Sequence, residues 1–252
     1  MKRLGIMAAV HEEIAQLLRD MEEMQTHRIG MRDYHVGTLH GQPCVVVLAR
    51  MGKVAAAAST VTLLREFEVD RLVFSGLAGG VANEARIGDV VVGDELLHHD
   101  LDASPLFPRF EVPLLGRSRL AADAELTQQL AVAASAYLEE DWGGDILPAT
   151  RDAFGLSQPR LHRGLIISGD QFVDAGAEVG RLRDLVPEAL CVEMEGAAVA
   201  QICHEYEARF AVIRTVSDRA DDAAFHDFNR FLEEVASLYS AGILKRMLQM
   251  QA

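Results

Sequence analysis

Short apolar runs recur along the chain, and most hand over to a stretch with helical spacing. RLGIMAAV (residues 3–10) leads into HEEIAQLLRDME (11–22). QPCVVVLAR (42–50) leads, through Met51 and Gly52, into KVAAAASTVTLLREF (53–67). DRLVFSG (70–76) runs into a predicted glycine turn, LAGG (77–80), and GDVVVGDELLHHD (88–100) reads as a further strand. RGLIISGD (163–170) precedes QFVD, ALCVEME (189–195) precedes GAAVAQICHEYE, and RFAVIRTVSD (209–218) is the last predicted strand. Phe228, Phe231, Leu232, Val235, Leu238 and Tyr239 then repeat at helical spacing and predict a final helix. Val- and Ile-rich strands alternating with helices predict an α/β fold with a largely parallel sheet.

One region breaks this rhythm. Five of the seven prolines lie between Pro105 and Pro159. ASPLFPRFEVPLLG (103–116) predicts an ordered loop whose Leu106, Phe107 and Phe110 must cover something, a ligand or a second subunit. A helix is expected over 119–140, followed by an irregular stretch within 139–162. No repeat, linker or low-complexity tract divides the chain, so a single domain over 1–252 is expected.

Composition narrows the partners. A formal net charge of −14 disfavours nucleic acid and anionic membrane, both of which reward a basic face. The three cysteines, Cys44, Cys191 and Cys203, match neither a zinc site nor a disulfide framework, which suits reduced core thiols in the cytoplasm. The apolar start is too short for a signal peptide or a membrane span.

The candidate chemistry gathers where the strands end. Ligands of open α/β sheets bind beyond the carboxyl ends of the strands. Here those ends read His11-Glu12-Glu13, Ser75 to Gly80, Ser168-Gly169-Asp170, Glu193-Met194-Glu195 and Ser217-Asp218. Each has a purely structural explanation as well. Acids favour the first turn of a helix, and SGD and SD are ordinary N-caps. GLAGG is neither a dinucleotide fingerprint nor a P-loop. His98-His99-Asp100 lacks a partner cluster for a metal and is expected to be a solvated strand end. Lys53 is expected to be a surface residue opening a helix. It is the coincidence of all five ends that predicts a pocket lined by carboxylates and glycine.

The ordered set EEI, MGKVAAA, SGLAGG, IGDVVV, SGDQFV, VEMEGAAVA and TVSDRAD resembles the purine nucleoside phosphorylase/nucleosidase superfamily. Within it, the pattern is most similar to the 5'-methylthioadenosine/S-adenosylhomocysteine nucleosidase family. The resemblance runs from residue 5 to about residue 232, and VEME and SDxAD are its specific parts. It implies a mixed, twisted central sheet partly closed into a barrel, flanked by helices, in a homodimer. It implies hydrolysis of the bond between adenine N9 and ribose C1', without cofactor or metal.

The same resemblance assigns roles. Glu13 matches the base that activates water, and Glu195 the residue that holds the ribose hydroxyls, with Met194 beside the sugar. Asp218 matches the group serving purine N7, helped by Ser217. Phe172 matches a ring stacked near adenine, and the Val173 backbone would read the base edge. Phe228 corresponds to a ring near the sugar, and Met51 and Val10 to apolar walls. Phe107 and Pro113 would reach the neighbouring subunit's site. Glu193 is left as a supporting or ribose-side candidate.

The chain departs from the pattern in places. Leu77 stands where serine is common, and Arg50 where glycine is common; the segment 139–162 is longer than usual. Arg50 and Arg86 keep phosphorolysis open, because phosphorylase relatives hold phosphate with arginines. Leu77 motivates a third reading, a nucleoside-binding protein without turnover.

Overall fold

A computed structural model describes residues 3–173, 176–218 and 230–250. β1 (Leu4–Ala8) is followed by α1 (His11–Asp20), a hairpin of β2 (Glu22–Ile29) and β3 (Arg32–Leu39), then β4 (Gln42–Leu48) and α2 (Lys53–Glu66). β5 (Arg71–Gly80), β6 (Val90–His98) and the short β7 (Arg119–Ala121) precede α3 (Ala124–Ala136). Two short helices, α4 (Trp142–Asp145) and α5 (Pro148–Phe154), lead to β8 (Leu161–Ser168) and α6 (Gly176–Leu185). β9 (Ala189–Glu193), α7 (Gly196–Glu205), β10 (Arg209–Asp218) and α8 (Ser237–Gln249) follow, with π-helical turns at Tyr137–Asp141 and Leu232–Ala236.

The strands form one mixed sheet in the order β10-β6-β8-β9-β5-β1-β4-β3-β2. β10 also pairs with β5, so β5, β10, β6, β8 and β9 close on themselves as a small barrel. β1 and β4 extend the parallel part outward, and the β2–β3 hairpin forms the edge. Alternating β1 side chains serve two cores. Leu4, Ile6 and Ala8 pack with α1, α3 and α8, while Met7 packs on the α2 and α7 side. Both faces are buried, which is why the run reads as uninterrupted apolar sequence.

Several expectations are corrected. LAGG is not a turn, because β5 runs straight through it to Gly80. The β2–β3 hairpin was not anticipated: β2 is exposed along its whole length and carries no buried face to betray it. The segment 139–162 is partly helical, with Phe154 of α5 edge-on to Phe231, ring centroids 5.4 Å apart. Residues 119–121 are strand rather than helix. His98 and His99 are buried, so the solvated strand end is overturned. Burial also lowers both imidazole pKa values. In the loop, Phe110 packs on the cluster around β8 and α6, whereas Leu106 stays exposed.

Candidate active site

The pocket opens at the carboxyl ends of β1, β5, β9 and β10 and spans about 620 Å³ of empty space, the open solvent at its mouth included. Glu13 enters it from the first turn of α1 and is 3% exposed. Its Oε2 accepts hydrogen bonds from the backbone N–H of Ala9 (2.8 Å) and Val10 (3.1 Å), and Oε1 accepts from Leu77 N–H (2.9 Å). The carboxylate thus completes its helix N-terminus and reaches the floor of the pocket at once. Gly76 makes this approach possible, since a Cβ there would lie 2.8 Å from Glu13 Oε1. Burial raises the Glu13 pKa against the opposing pull of Arg214 and the three N–H donors.

Arg214 is the charge that organises the floor. It lies in the middle of β10, 1% exposed, with its guanidinium 4.1 Å from the Phe74 ring centroid. Nη2 and Nε donate to Glu193 Oε2 at 2.5 and 3.2 Å, and Nη1 donates to the carbonyls of Phe74 and Ile213. Glu193 is the best-satisfied acid of the group. It also accepts from Ser168 Oγ and from the N–H groups of Glu195 and Gly196 at the start of α7.

β9 ends at Glu193, so Glu195 is not the last strand residue; it occupies the N-cap of α7 instead. That bend replaces simple strand alternation and brings both acids to the same pocket. Glu195 Oε1 accepts from Gly52 N–H at 2.8 Å. Burial and then the adjacent Glu193 push the Glu195 pKa up, opposed by Arg214 and Gly52.

Asp218 closes the far side. The β5–β10 register slips between Val216 and Asp218, and such a bulge re-aims the following side chain. Ser217 Oγ donates to Asp218 Oδ2 at 2.7 Å. Val10, Met51, Leu77, Phe172, Val173 and Met194 supply apolar walls. The result is a mostly apolar slot with Glu13, Glu195 and Asp218 converging on it, backed by the Glu193–Arg214 pair.

A family model described as the phosphorylase superfamily matches residues 3–249. The chain belongs to the phosphorylase superfamily. Within that superfamily it is 33% identical over 248 residues to the 5'-methylthioadenosine/S-adenosylhomocysteine nucleosidase of Aeromonas salmonicida, covering 98% of each chain. The Neisseria meningitidis nucleosidase of the same name, solved with methylthio-immucillin-A, superposes with a TM-score of 0.86 at 33% identity, covering 99% of this chain and 100% of that one. The Helicobacter pylori futalosine hydrolase superposes at 0.83 with 29% identity, covering 99% and 98%. These relatives place the chain among the N-glycosyl hydrolases of the superfamily.

The mixed sheet partly closed into a barrel, expected of the superfamily, is present. Of the site residues named from sequence, Glu13, Glu195, Met194, Asp218, Phe172, Val173, Leu77, Met51 and Val10 all line the pocket, and Ser217 stands behind Asp218. Phe107 and Pro113 do not line it, and Phe228 lies outside the described residues. Arg50 points away, its Nη2 donating to the Met31 carbonyl at 2.7 Å, and Arg86 is also absent from the lining. Leu77 contributes its backbone N–H to Glu13, a contact that a serine in its place would make equally. Sequence reasoning missed Arg214, whose signal was a single arginine inside the apolar run AVIRTV, and Gly52, whose contribution is a backbone N–H.

Proposed function

We propose that this enzyme hydrolyses the N-glycosidic bond of 5'-methylthioadenosine and S-adenosylhomocysteine, releasing adenine and the 5-thio-substituted ribose. The observation that carries this reading is the convergence of Glu13, Glu195 and Asp218 on one pocket. Cleavage of a glycosidic bond passes through an oxocarbenium-like state and is commonly driven by paired carboxyl groups. Asp218 gives a proton to purine N7 as the N9–C1' bond breaks, so adenine leaves neutral. Glu13 takes a proton from the water whose oxygen bonds to C1'. A carboxylate whose proton affinity is raised by burial is a stronger base than one in water. Glu195 accepts the ribose hydroxyls, and its ionised form lowers the energy of the cationic sugar. Phe172 and Val173 hold the base, and Met194 packs on the sugar.

The activity named for the Aeromonas salmonicida relative supports this substrate class. Phosphorolysis is the weaker reading. Arg50 and Arg86 lie outside the pocket, and Arg214 spends its donors on Glu193, Phe74 and Ile213 rather than on open space. A binding protein without turnover would have no use for both a base and an acid in the same pocket. A homodimer is part of the same proposal. Leu106 and Leu114 are more than four-fifths exposed in the loop that carries Phe107 and Pro113, and Val54 is exposed in the first turn of α2. Among the described residues no helix is long and apolar enough to cross a membrane.

Adenine release from each nucleoside in phosphate-free buffer tests the proposal. Turnover supports it; folded protein that releases none overturns it.

A further inference from the structure

Gly52 lies at the N-cap of α2 with φ +94°, a conformation that favours glycine, and it offers no side chain to satisfy the helix N-terminus. Two carboxylates from other elements do so instead. Glu195 Oε1 takes the Gly52 N–H at 2.8 Å, and Asp170 Oδ1 takes the Lys53 N–H at 2.8 Å. Asp170 is itself tied down, because its N–H donates to Asp100 Oδ2 at 2.9 Å. Asp100 Oδ1 then receives Lys53 Nζ at 2.6 Å, which closes a ring. The ring joins the ends of β6 and β8 to the start of α2. A Cβ on Gly52 would stand 3.2 Å from Asp170 Oδ1, so the turn is held close against that carboxylate.

We propose that Lys53, Asp100 and Asp170 form a clamp that fixes the Gly52 N–H on Glu195, making them positioning residues for the ribose end of the pocket. The inference rests on the reading of Glu195 as the ribose-binding acid, but the clamp itself is independent of substrate. None of the three touches the pocket interior. They act through Gly52, whose N–H holds one Glu195 oxygen in place and leaves the other to be shared with ligand. Partial burial raises the Asp100 pKa, but the hydrogen bonds from Lys53 and from the Asp170 N–H hold it below the ordinary carboxylate value. His98 at the end of β6 and the following His99 flank it, and His99 feels the charges of Glu178 and Arg181 of α6. Glu195 is faced in turn by Glu193, Arg214 and Glu13.

Two readouts test the clamp in the full-length protein. The first is the Glu195 carboxyl titration, followed by ¹³C NMR. Asp170→Ala removes the acceptor that anchors the turn, and Lys53→Met removes only the ammonium arm. Both are expected to move the Glu195 midpoint upward, because a hydrogen bond to the charged form is weakened. Asp170→Asn keeps an oxygen for the Lys53 N–H and is expected to stay at the wild-type midpoint. The second is calorimetric binding of methylthio-immucillin-A and of free adenine. Lys53→Met weakens the sugar-bearing ligand, and Asp170→Ala does so by about tenfold. Lys53→Met leaves adenine binding unchanged. Unmoved midpoints in both clamp variants, or Asp170→Asn behaving like Asp170→Ala, overturn the clamp. Should Asp170→Ala fail to fold, Lys53→Met alone decides. Glu195→Gln with undiminished affinity for the sugar-bearing ligand overturns the ribose reading instead, and the NMR titration then still decides the clamp.

Discussion

Arg214 and Glu193 form an ion pair with Nη2 2.5 Å from Oε2, and neither side chain is more than 2% exposed. A pair removed from water this completely is sustained by its surroundings, here Ser168, the α7 N–H groups and the Phe74 ring. Its consequence is electrostatic. The buried guanidinium draws down the proton affinity of both Glu13 and Glu195, which burial would otherwise raise further.

Breaking that pair from one side leaves a buried charge without its partner. Arg214→Met is expected to lose about 3–5 kcal/mol of stability, read by urea denaturation. The double variant Arg214→Met with Glu193→Gln is expected to lose less than the sum of the two single changes. Additive losses would show that the pair is not coupled.

Glu13 holds three N–H donors, so an amide there must turn an NH₂ toward at least one of them. Glu13→Gln is expected to cost at least on the order of a hundredfold in turnover and about 1–3 kcal/mol in stability. Steady-state kinetics and thermal melts on one preparation separate the two effects. Turnover close to wild type would remove Glu13 from the base role.

Much of the architecture was legible because the central parallel strands are apolar on both faces and therefore continuous in sequence, as in LGIMA and CVVVL. The β2–β3 hairpin was not legible, because an edge strand exposed throughout leaves no periodic apolar mark. The acids Glu13, Glu195 and Asp218 could be named as strand-end residues. Their arrangement could not, since it depends on a bend after β9 and a bulge in β10. His98 and His99 read as solvated because a polar triplet gives no hint of the helix that covers it: Gln201 of α7 reaches His98 Nε2 at 3.2 Å.

Asp218→Asn is expected to slow release of adenine at least on the order of a hundredfold. A ribosyl substrate whose leaving group departs readily as an anion does not need protonation at a purine nitrogen. Its cleavage by Asp218→Asn is expected to remain near wild type. An equal loss with both substrates would show that Asp218 acts otherwise than through the leaving group.

The raised pKa of Glu195 gives a signed pH effect. Its folded value, about 8, lies above the ordinary carboxyl value of 4.5. The folded state therefore holds a proton that the unfolded chain has released, and stability from this group falls as pH rises between those values. The Tm of the wild type relative to Glu195→Gln is expected to drop from about pH 5 to pH 8. A difference that stays constant across that window would show that Glu195 titrates normally.

Hydrolysis itself is tested most directly by turnover of 5'-methylthioadenosine in phosphate-free, ¹⁸O-enriched water. The geometry predicts equimolar adenine and labelled 5-methylthioribose, at a rate that added phosphate does not increase. Product that forms only with phosphate and carries it at C1', or no adenine from folded protein, would contradict the account.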